Sequence, residues 1–443
     1  MTHIKIFGIS VYLVLLFSNT KAQTLANTLQ TFKLKKQVEI KSKDSLFSNL
    51  KPLRVSKSLN YINDVKAMAS FDMKLSDSIV KNMYYEYIGT LLSFIGEDKN
   101  ALDCFDSAEN YKEYINSNVT EFNSYSLIEY KEQLKAKASK SKIVLINEMH
   151  HRPVCRIFTF EMLADFRKQG YNYLALETLS SRIDASTEKT IHKNLGFYTQ
   201  EPNFANLVRY AKFLKFKLVA YDTTVSDSNK RDSLAAINIM KVLDKDPNAK
   251  MIIHCGYGHA NTVDLGFHSI GVWLKDKYKF VKSINQTYFN TYGNLQFCNN
   301  FYAYLDPKKT IKYPKLLLNK NINFNPGYDF TLFENFNADD YKKSLIKNKL
   351  FFERTLLIPK NIKNKSFLLQ YYPANEIRNI TDYDLVVPAS NQIIKSNTVT
   401  TYLPVFIKKY LIIIRDLDNK IIYKTSFTIK QYLTIIASRL PPK

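Results

Sequence analysis

Residues 142–153 read KIVLINEMHHRP, an apolar run that ends in a cluster of acidic and basic side chains. Four consecutive large aliphatic residues suit a strand in a sheet that is covered on both faces. Pro153 fixes the backbone at the start of the next segment, in which apolar residues recur at helical spacing. The stretch therefore predicts a buried strand followed by a loop that carries Glu148, His150 and His151.

The alternation of short β-branched runs with longer helical segments continues to about residue 290. The predicted strands are 142–146, 173–176, 217–221 and 251–254. The predicted helices between them are 154–168, 203–215 and 229–243. Because strands separated by helices usually pair in parallel, residues 139–290 are predicted to form an α/β domain with a mostly parallel sheet and helices on both faces.

Residues 23–138, which precede this domain, are predicted to be helical. Helical spacing at 83–94 and 101–114, with the polar turn 96–100 between them, predicts a helical hairpin. The hairpin resembles one tetratricopeptide-type unit, but a solenoid needs about three such units. A plain helical cap on the α/β domain is therefore the favoured interpretation.

Residues 291–443, which follow the domain, are predicted to be rich in β-structure. The runs LLQYY, DLVV, YLPVFIKKYLIIIRD and KIIYKTSFTI have the composition of strands. Asp418 and Asn419 predict a hairpin turn between the last two runs. The whole chain is thus predicted to have a helical region, an α/β domain and a β-rich region in that order.

The first 22 residues have the pattern of a signal peptide: Lys5, a short apolar run at 6–17, and small residues before a cleavage point at Gln23. An uncleaved anchor is the alternative, but the run is shorter than the roughly 20 residues that span a bilayer. The sequence predicts export to the periplasm or the cell exterior.

The formal net charge is +23, spread along the chain. A nucleic-acid partner is not expected, because no clustered basic patch with an aromatic platform is evident. A basic surface that faces anionic glycans or lipid headgroups remains an alternative. The four cysteines are too scattered for a disulfide framework, and Cys155 and Cys255 are predicted to be buried thiols.

Each predicted strand ends, on its carboxyl side, in residues that can do chemistry. Ligands of open parallel sheets bind at these carboxyl ends, so the residues are expected to share a pocket. The residues are Glu148, His150 and His151 after the first strand, Glu177 after the second, Asp222 after the third, and His254 and His259 at the fourth.

The residue types suggest different roles within this pocket. Glu148 can fix the tautomer of His150, which is the arrangement that a general base requires. His254 is expected to be a buried core residue, whereas His259 follows two glycines and can approach a ligand closely. His151 can point away from His150 and be exposed.

Glu177 and Asp222 end apolar strands, where an unpaired carboxylate is costly. Arg231 is the expected cation beside them. Alternatively, Arg231 and Asp232 simply mark the start of a helix that is capped by Ser228 or Asn229.

At these residues the chain resembles the superfamily that joins erythromycin esterase-like hydrolases, ChaN-like haem-binding lipoproteins and TraB/Tiki proteins. The resemblance lies in four ordered motifs: INEMHHRP, LALE, RDSLAAINIM and CGYGHA. Asn147 departs from the family pattern, which usually has glycine there, and is expected to narrow the approach to Glu148.

The resemblance implies hydrolysis of an ester, lactone or related carbonyl substrate without a metal. Glu148, His150, Glu177 and His259 would be the catalytic residues, with His150 as the base. Asp222, Arg231, His151 and Tyr257 would bind the small-molecule substrate, with Arg231 and His259 stabilising the oxyanion.

Other members of the superfamily imply different uses of the same cleft. Tiki-like members imply a divalent-metal hydrolase with Glu148, His150 and His259 as ligands. ChaN-like members imply haem or iron capture through a histidine or Tyr257. A non-enzymatic surface interaction protein is a further alternative. Nucleotide-dependent and serine-hydrolase functions are not expected, because their loop and elbow motifs are missing from the sequence.

Overall fold

A computed structural model describes most of the chain. The described residues are 29, 32, 37–55, 58–108, 125–223, 225, 227–288, 314–319, 322–323, 327–334, 336–359, 362 and 366–429. The signal peptide predicted for residues 1–22 lies outside them. No helix in this described part is long and apolar enough to cross a membrane.

In the amino-terminal part, most of the described residues lie in helices. Its elements are β1 (Val38–Glu39), α1 (Lys43–Val55), α2 (Tyr61–Ala69), β2 (Phe71–Asp72), α3 (Ser78–Phe94), α4 (Asp98–Ala108), β3 (Tyr125–Glu129) and α5 (Lys131–Ser139). The predicted hairpin is present as α3 and α4. The two helices approach closely because Gly89 has no side chain: a Cβ there would lie 2.8 Å from the ring of Phe105.

The central part alternates strands and helices as the sequence predicts, with small shifts at their ends. Its elements are β4 (Ile143–Glu148), α6 (Pro153–Lys168), β5 (Tyr173–Leu176), α7 (Pro202–Phe213), β6 (Lys217–Ala220), α8 (Ser228–Lys245), β7 (Met251–Gly256), α9 (Ile270–Lys277) and β8 (Val281–Asn285). Helix α8 is capped by the side chain of Asp227, which accepts from the backbone N–H of Lys230, so the predicted caps Ser228 and Asn229 are wrong.

The carboxyl-terminal part consists mainly of strands. Its elements are β9 (Lys315–Asn319), β10 (Ile322–Asn323), β11 (Phe330–Phe333), α10 (Ala338–Ser344), β12 (Phe351–Leu357), β13 (Phe367–Pro373), β14 (Ser390–Ile394), β15 (Thr398–Pro404), β16 (Lys409–Arg415) and β17 (Ile421–Thr428). The hairpin turn between β16 and β17 is confirmed, with Asn419 at a φ of 65°. The strand predicted from DLVV is wrong, because Asp382 caps a short 3₁₀ turn at Tyr383–Leu385.

The fold is mixed α/β with a large, mostly parallel sheet. Strands β6, β5, β7, β4, β8 and β11 lie side by side in parallel, within a nine-stranded sheet that β9, β10 and β3 complete with antiparallel pairs. Separate antiparallel sheets pair β12 with β15 and order the last strands as β14, β13, β16 and β17. The parallel sheet therefore extends past residue 290 through β11.

Helices cover both faces of the parallel strands. Alternate residues of β4, such as Val144 and Ile146, pack with α6 and α7 in one core, while Ile143 and Leu145 pack with α8 and α9 in the other. Cys155 and Cys255 are buried free thiols, as predicted.

The strand order decides where the polar strand ends meet. Because β4, β7, β5 and β6 are neighbours in that order, their carboxyl ends form one row. Glu148 at the end of β4 is the register partner of Gly256 at the end of β7. The backbone N–H of Glu177 donates to the carbonyl of His254 at 3.2 Å, which brings the end of β5 to the same place.

A buried ion pair ties α7 to the carboxyl-terminal part. Arg209 donates to both carboxylate oxygens of Glu376, at 2.7 and 2.9 Å, and both side chains are buried. We expect Arg209→Ala to lower the free energy of unfolding by about 3–5 kcal/mol, because the carboxylate of Glu376 is left buried without its cation. Urea unfolding measures the loss. Lys168→Ala, at an exposed lysine, is the control and should change stability by less than about 0.5 kcal/mol; equal losses would contradict the prediction.

Candidate active site

Glu148 is a fully buried carboxylate that accepts hydrogen bonds on both oxygens. Arg156 donates to Oε2 through Nε at 2.7 Å and to Oε1 through Nη2 at 2.9 Å. The imidazoles of His150 and His254 contact Oε1 at 3.0 Å and Oε2 at 2.8 Å. Burial alone would raise the pKa of Glu148, but Arg156 and the imidazoles hold that pKa well below its ordinary range. Glu148 is therefore ionised at neutral pH, although it is buried at the carboxyl end of β4.

The ring of His150 has a fixed position and a fixed tautomer. Its Nδ1 contacts the carboxylate of Glu148, and because a carboxylate only accepts, Nδ1 is the nitrogen that carries a hydrogen in this contact. Tyr198 stacks on one face of the ring, with centroids 4.1 Å apart, and Tyr257 meets it edge-on at 5.0 Å. Part of the His150 side chain, 16%, stays exposed. This is the geometry of an oriented imidazole base.

Glu177, Asp222 and Arg231 form a second cluster. Arg231 donates to Asp222 at 2.8 and 2.7 Å and to Glu177 at 2.8 Å. The hydrogen bonds to Asp222, with the charge of Glu177, raise the pKa of Arg231. The predicted pairing of Arg231 with both carboxylates is confirmed. Because the guanidinium is already bonded to two carboxylates, its main role is to hold them in place.

His259 lies in a third cluster, with the residue next to Arg231. Its Nδ1 contacts the buried carboxylate of Asp232 at 2.8 Å, and Asp232 also accepts from the backbone N–H of Ile270 at 3.0 Å. Burial alone would lower the pKa of His259, but Asp232 and the nearby charge of Glu177 raise it. His259 is thus held in place by Asp232.

Gly256 lies between His150 of the first cluster and Glu177 of the second. A Cβ at this position would lie 2.6 Å from Nε2 of His150 and 2.9 Å from Oε2 of Glu177, so no other residue fits without moving them. The backbone N–H of Gly256 also donates to Glu177. His150 and Glu177 are therefore neighbours across a single glycine.

Two residues next to these groups have strained backbones. Thr178, directly after Glu177, has a φ of 57°, and Tyr257, directly after Gly256, has a φ of 40°. Such conformations cost on the order of 1–3 kcal/mol each and cluster at functional sites. Asn147 helps to hold Tyr257, since its amide donates to the Tyr257 carbonyl at 2.9 Å.

A cavity of about 880 Å³ opens over His150. Its walls come from α1, α3 and the 193–200 segment, and they are mainly apolar. The apolar residues that line it include Leu46, Phe47, Leu50, Met83, Leu91 and Phe105. Asp64 and Lys193 also line it, and burial raises the pKa of Asp64 to about 6 and lowers that of Lys193.

Apart from His151, the structure separates the predicted site residues into three groups. His150 and Tyr257 line the cavity. Glu148 and His254 lie beneath it, and Glu177, Asp222, Arg231 and His259 form the bonded clusters beside it. His254 is fully buried, as predicted.

The prediction that His151 is exposed is wrong. Its ring is fully buried and stacks on Phe105 of α4, with centroids 3.4 Å apart. The amino-terminal helices cover this side of the loop, which the sequence of the loop alone does not reveal. His151 therefore anchors α4 to the α/β part rather than facing the cavity.

Sequence reasoning missed Arg156, Tyr198 and Asp232. Arg156 and Asp232 lie within helical patterns, where charged residues usually face solvent. The only signal was that both lie in the first two turns of a helix that follows a strand of the parallel sheet. Tyr198 lies in the connection between β5 and α7, which has no periodic pattern.

The donor set does not fit a divalent metal. Both oxygens of Glu148 are occupied by the guanidinium of Arg156, a cation that a metal would have to displace. His259 is bonded to Asp232 instead of sharing a site with Glu148. In the described part of the chain no group of three or more histidine, cysteine or acidic residues is arranged to hold a metal ion.

We predict that Asp232→Asn lowers the pKa of His259, because the substitution removes the charge that holds the imidazolium. In the wild type the raised pKa adds stability below pH 6.5, and this contribution is lost as the pH rises through the raised value. Histidine NMR titration measures the change. Asp227→Asn, at the cap of the same helix, is the control and should leave the pKa of His259 unchanged. An unshifted pKa in Asp232→Asn would contradict the pairing.

No known protein family matches the sequence, and no curated protein matches it. Among solved structures the chain is similar to the type III effector HopBA1, with 14% identity over 35% of this chain and 81% of that chain and a TM-score of 0.28. It is also similar to RRSP, a MARTX toxin effector domain from Vibrio vulnificus CMCP6, with 17% identity over 49% of this chain and 46% of that chain and a TM-score of 0.23. Similarities this weak carry no argument about activity.

Proposed function

We propose that the chain is a hydrolase of an ester, lactone or related carbonyl substrate, with His150 as the general base. The observation that carries this proposal is the contact of Nδ1 of His150 with the permanently ionised Glu148, at 3.0 Å, beneath a cavity of about 880 Å³. An oriented imidazole at the base of an apolar cavity is the minimum that base-assisted hydrolysis requires.

In the proposed reaction, His150 first accepts one proton and later returns it, so the residue ends in its starting state. Nε2 takes a proton from water while the water oxygen attacks the carbonyl carbon, which forms a tetrahedral oxyanion. The imidazolium then returns the proton to the leaving oxygen as the carbon–oxygen bond breaks, and an acid and an alcohol are released. Glu148 keeps the ring oriented and stabilises its transient positive charge.

Tyr257 is the residue that we propose for binding the oxyanion. It lines the same cavity as His150, is 37% exposed and meets the ring of His150 edge-on. Arg231 and His259 were the sequence-based candidates for this role. They are the less favoured choice, because they are already bonded to Glu177, Asp222 and Asp232 and do not line the cavity.

We further propose that the α/β part belongs with the erythromycin esterase-like and ChaN-like superfamily. The ordered positions of Glu148, Glu177, Arg231 and His259 at one sheet edge support this assignment. In this proposal the helical region before the domain forms the roof of the cavity, and the β-rich region after it supports α7. The signal-peptide pattern supports export as part of the same proposal.

We expect His150→Ala to lower kcat by about 100-fold or more on a substrate found by screening chromogenic esters and lactones, since a general base contributes about that much. The control is His268→Ala, because His268 pairs with Asp264 at the surface and does not line the cavity. Circular dichroism and thermal unfolding should be similar in both variants. Full activity in His150→Ala would overturn the assignment.

We expect activity to survive chelation, because Arg156 occupies the carboxylate that a metal would need. The measurements are elemental analysis of the purified chain and hydrolysis rates before and after EDTA. Stoichiometric metal with loss of activity, restored by cobalt or manganese, would instead support a Tiki-like hydrolase. A Soret band on addition of haem, with no hydrolysis of any substrate, would support a ChaN-like binding protein.

A further inference from the structure

A second cavity, of about 740 Å³, lies between α7 and the carboxyl-terminal strands. It shares no lining residue with the cavity over His150. Lysine and arginine side chains from four separate segments of the chain line it, and we name it the basic cleft. These residues are Lys189, Arg209, Lys212, Arg378, Lys408 and Lys409.

The basic cleft has an excess of positive charge. Its lining contains one carboxylate, Glu376, and that group is paired with Arg209. The other five cations form no ion pair with any carboxylate among the residues that the structure describes. The charges of Glu376, Glu188 and Asp184 act on Lys212, but they do not balance six converging cations. Cations in excess of nearby carboxylates repel one another, and a bound anion would reduce this repulsion.

Among the described residues, Lys212 is the clearest example of a cation in the cleft that has no ion pair. Its side chain is half-buried, and its ammonium group donates to the backbone carbonyl of Glu188. Burial lowers the pKa of this lysine. Lys212 has thus lost part of its hydration without gaining an ion pair, which is the state of a cation that an incoming oxyanion would stabilise.

The cleft also has apolar surface between its cations. Phe213, Pro373, Phe406 and Ile407 line it together with the basic residues. Its volume is within the range of about 300–1,000 Å³ that is typical of small-molecule sites. Aromatic and aliphatic side chains beside cations suit a ligand that has a ring as well as negative groups.

We propose that the basic cleft binds a small polyanion that carries two or more phosphate or sulfate groups. The bounded volume favours a small molecule over a polymer, because a polymer needs a groove that continues along the surface. This site is independent of hydrolysis at His150. A polyanion bound in the cleft would neutralise part of the chain's positive charge.

The test is isothermal titration calorimetry of the full chain with three probes: inorganic tripolyphosphate, ATP and a fully sulfated heparin disaccharide. The variant is Lys408→Glu/Lys409→Glu, because both side chains are exposed and only their backbones bond to Ala374 and Ile429. The control is Lys241→Glu/Lys245→Glu, which changes the net charge equally on exposed positions of α8. We expect at least one probe to bind, and its affinity to fall about tenfold or more in the variant and little in the control.

Each outcome decides the proposal. Binding of the phosphate probes or of the sulfated disaccharide identifies the oxyanion that the cleft prefers, and binding should weaken as salt is added. Arg378→Glu, at an exposed residue of a different segment, must give the same direction of change. Absence of binding by all probes, equal losses in the control, or binding only to long heparin or oligonucleotides would overturn the proposal.

Discussion

Two buried carboxylates, Glu148 and Glu201, share the guanidinium of Arg156 at the edge of the parallel sheet. Arg156 donates to Glu148 at 2.7 Å and to Glu201 at 3.1 Å, and all three side chains are almost completely buried. Removing Arg156 would leave two buried carboxylates without their cation, which is far more costly than the pairing is stabilising. This constraint fixes the relative positions of β4, α6 and the start of α7, where Glu201 also accepts from the backbone of Phe204.

The chemistry of the candidate site depends on this arrangement. Because two carboxylates share one guanidinium, a formal negative charge remains near the ring of His150, where positive charge would develop during the proposed proton transfer. Arg156 also donates to the backbone carbonyl of His150 at 2.9 Å, so the same side chain positions both the carboxylate and the imidazole. The strained backbones of Thr178 and Tyr257 are tolerated because the surrounding bonds determine their positions.

The sequence predicted the parts of the fold that depend on local pattern. Apolar runs bounded by helical periods located β4, β5, β6 and β7, and the rule for the carboxyl ends of parallel strands located Glu148, Glu177 and Asp222 at one edge. The sequence could not reveal which residues would neutralise these carboxylates, because Arg156 looks like any charged residue in a helix. Nor could it show that His151 is covered, since Phe105, its partner, lies 46 positions earlier in the chain.

The cavity sets the shape of the substrate that the proposed hydrolase can accept. Its lining is mainly apolar and comes largely from α1, α3 and the 193–200 segment, and His150 and Tyr257 line it in contact with each other. A carbonyl compound with a bulky apolar body would bury that body against the helices, at roughly 25 cal/mol for each Å² removed from water. Its carbonyl group would then be directed toward the imidazole. A small polar ester would leave most of the cavity filled with water, so binding energy would contribute little to orientation. In the proposed hydrolase the helical region would therefore be a determinant of specificity, since it supplies much of the apolar surface that a carbonyl substrate would contact.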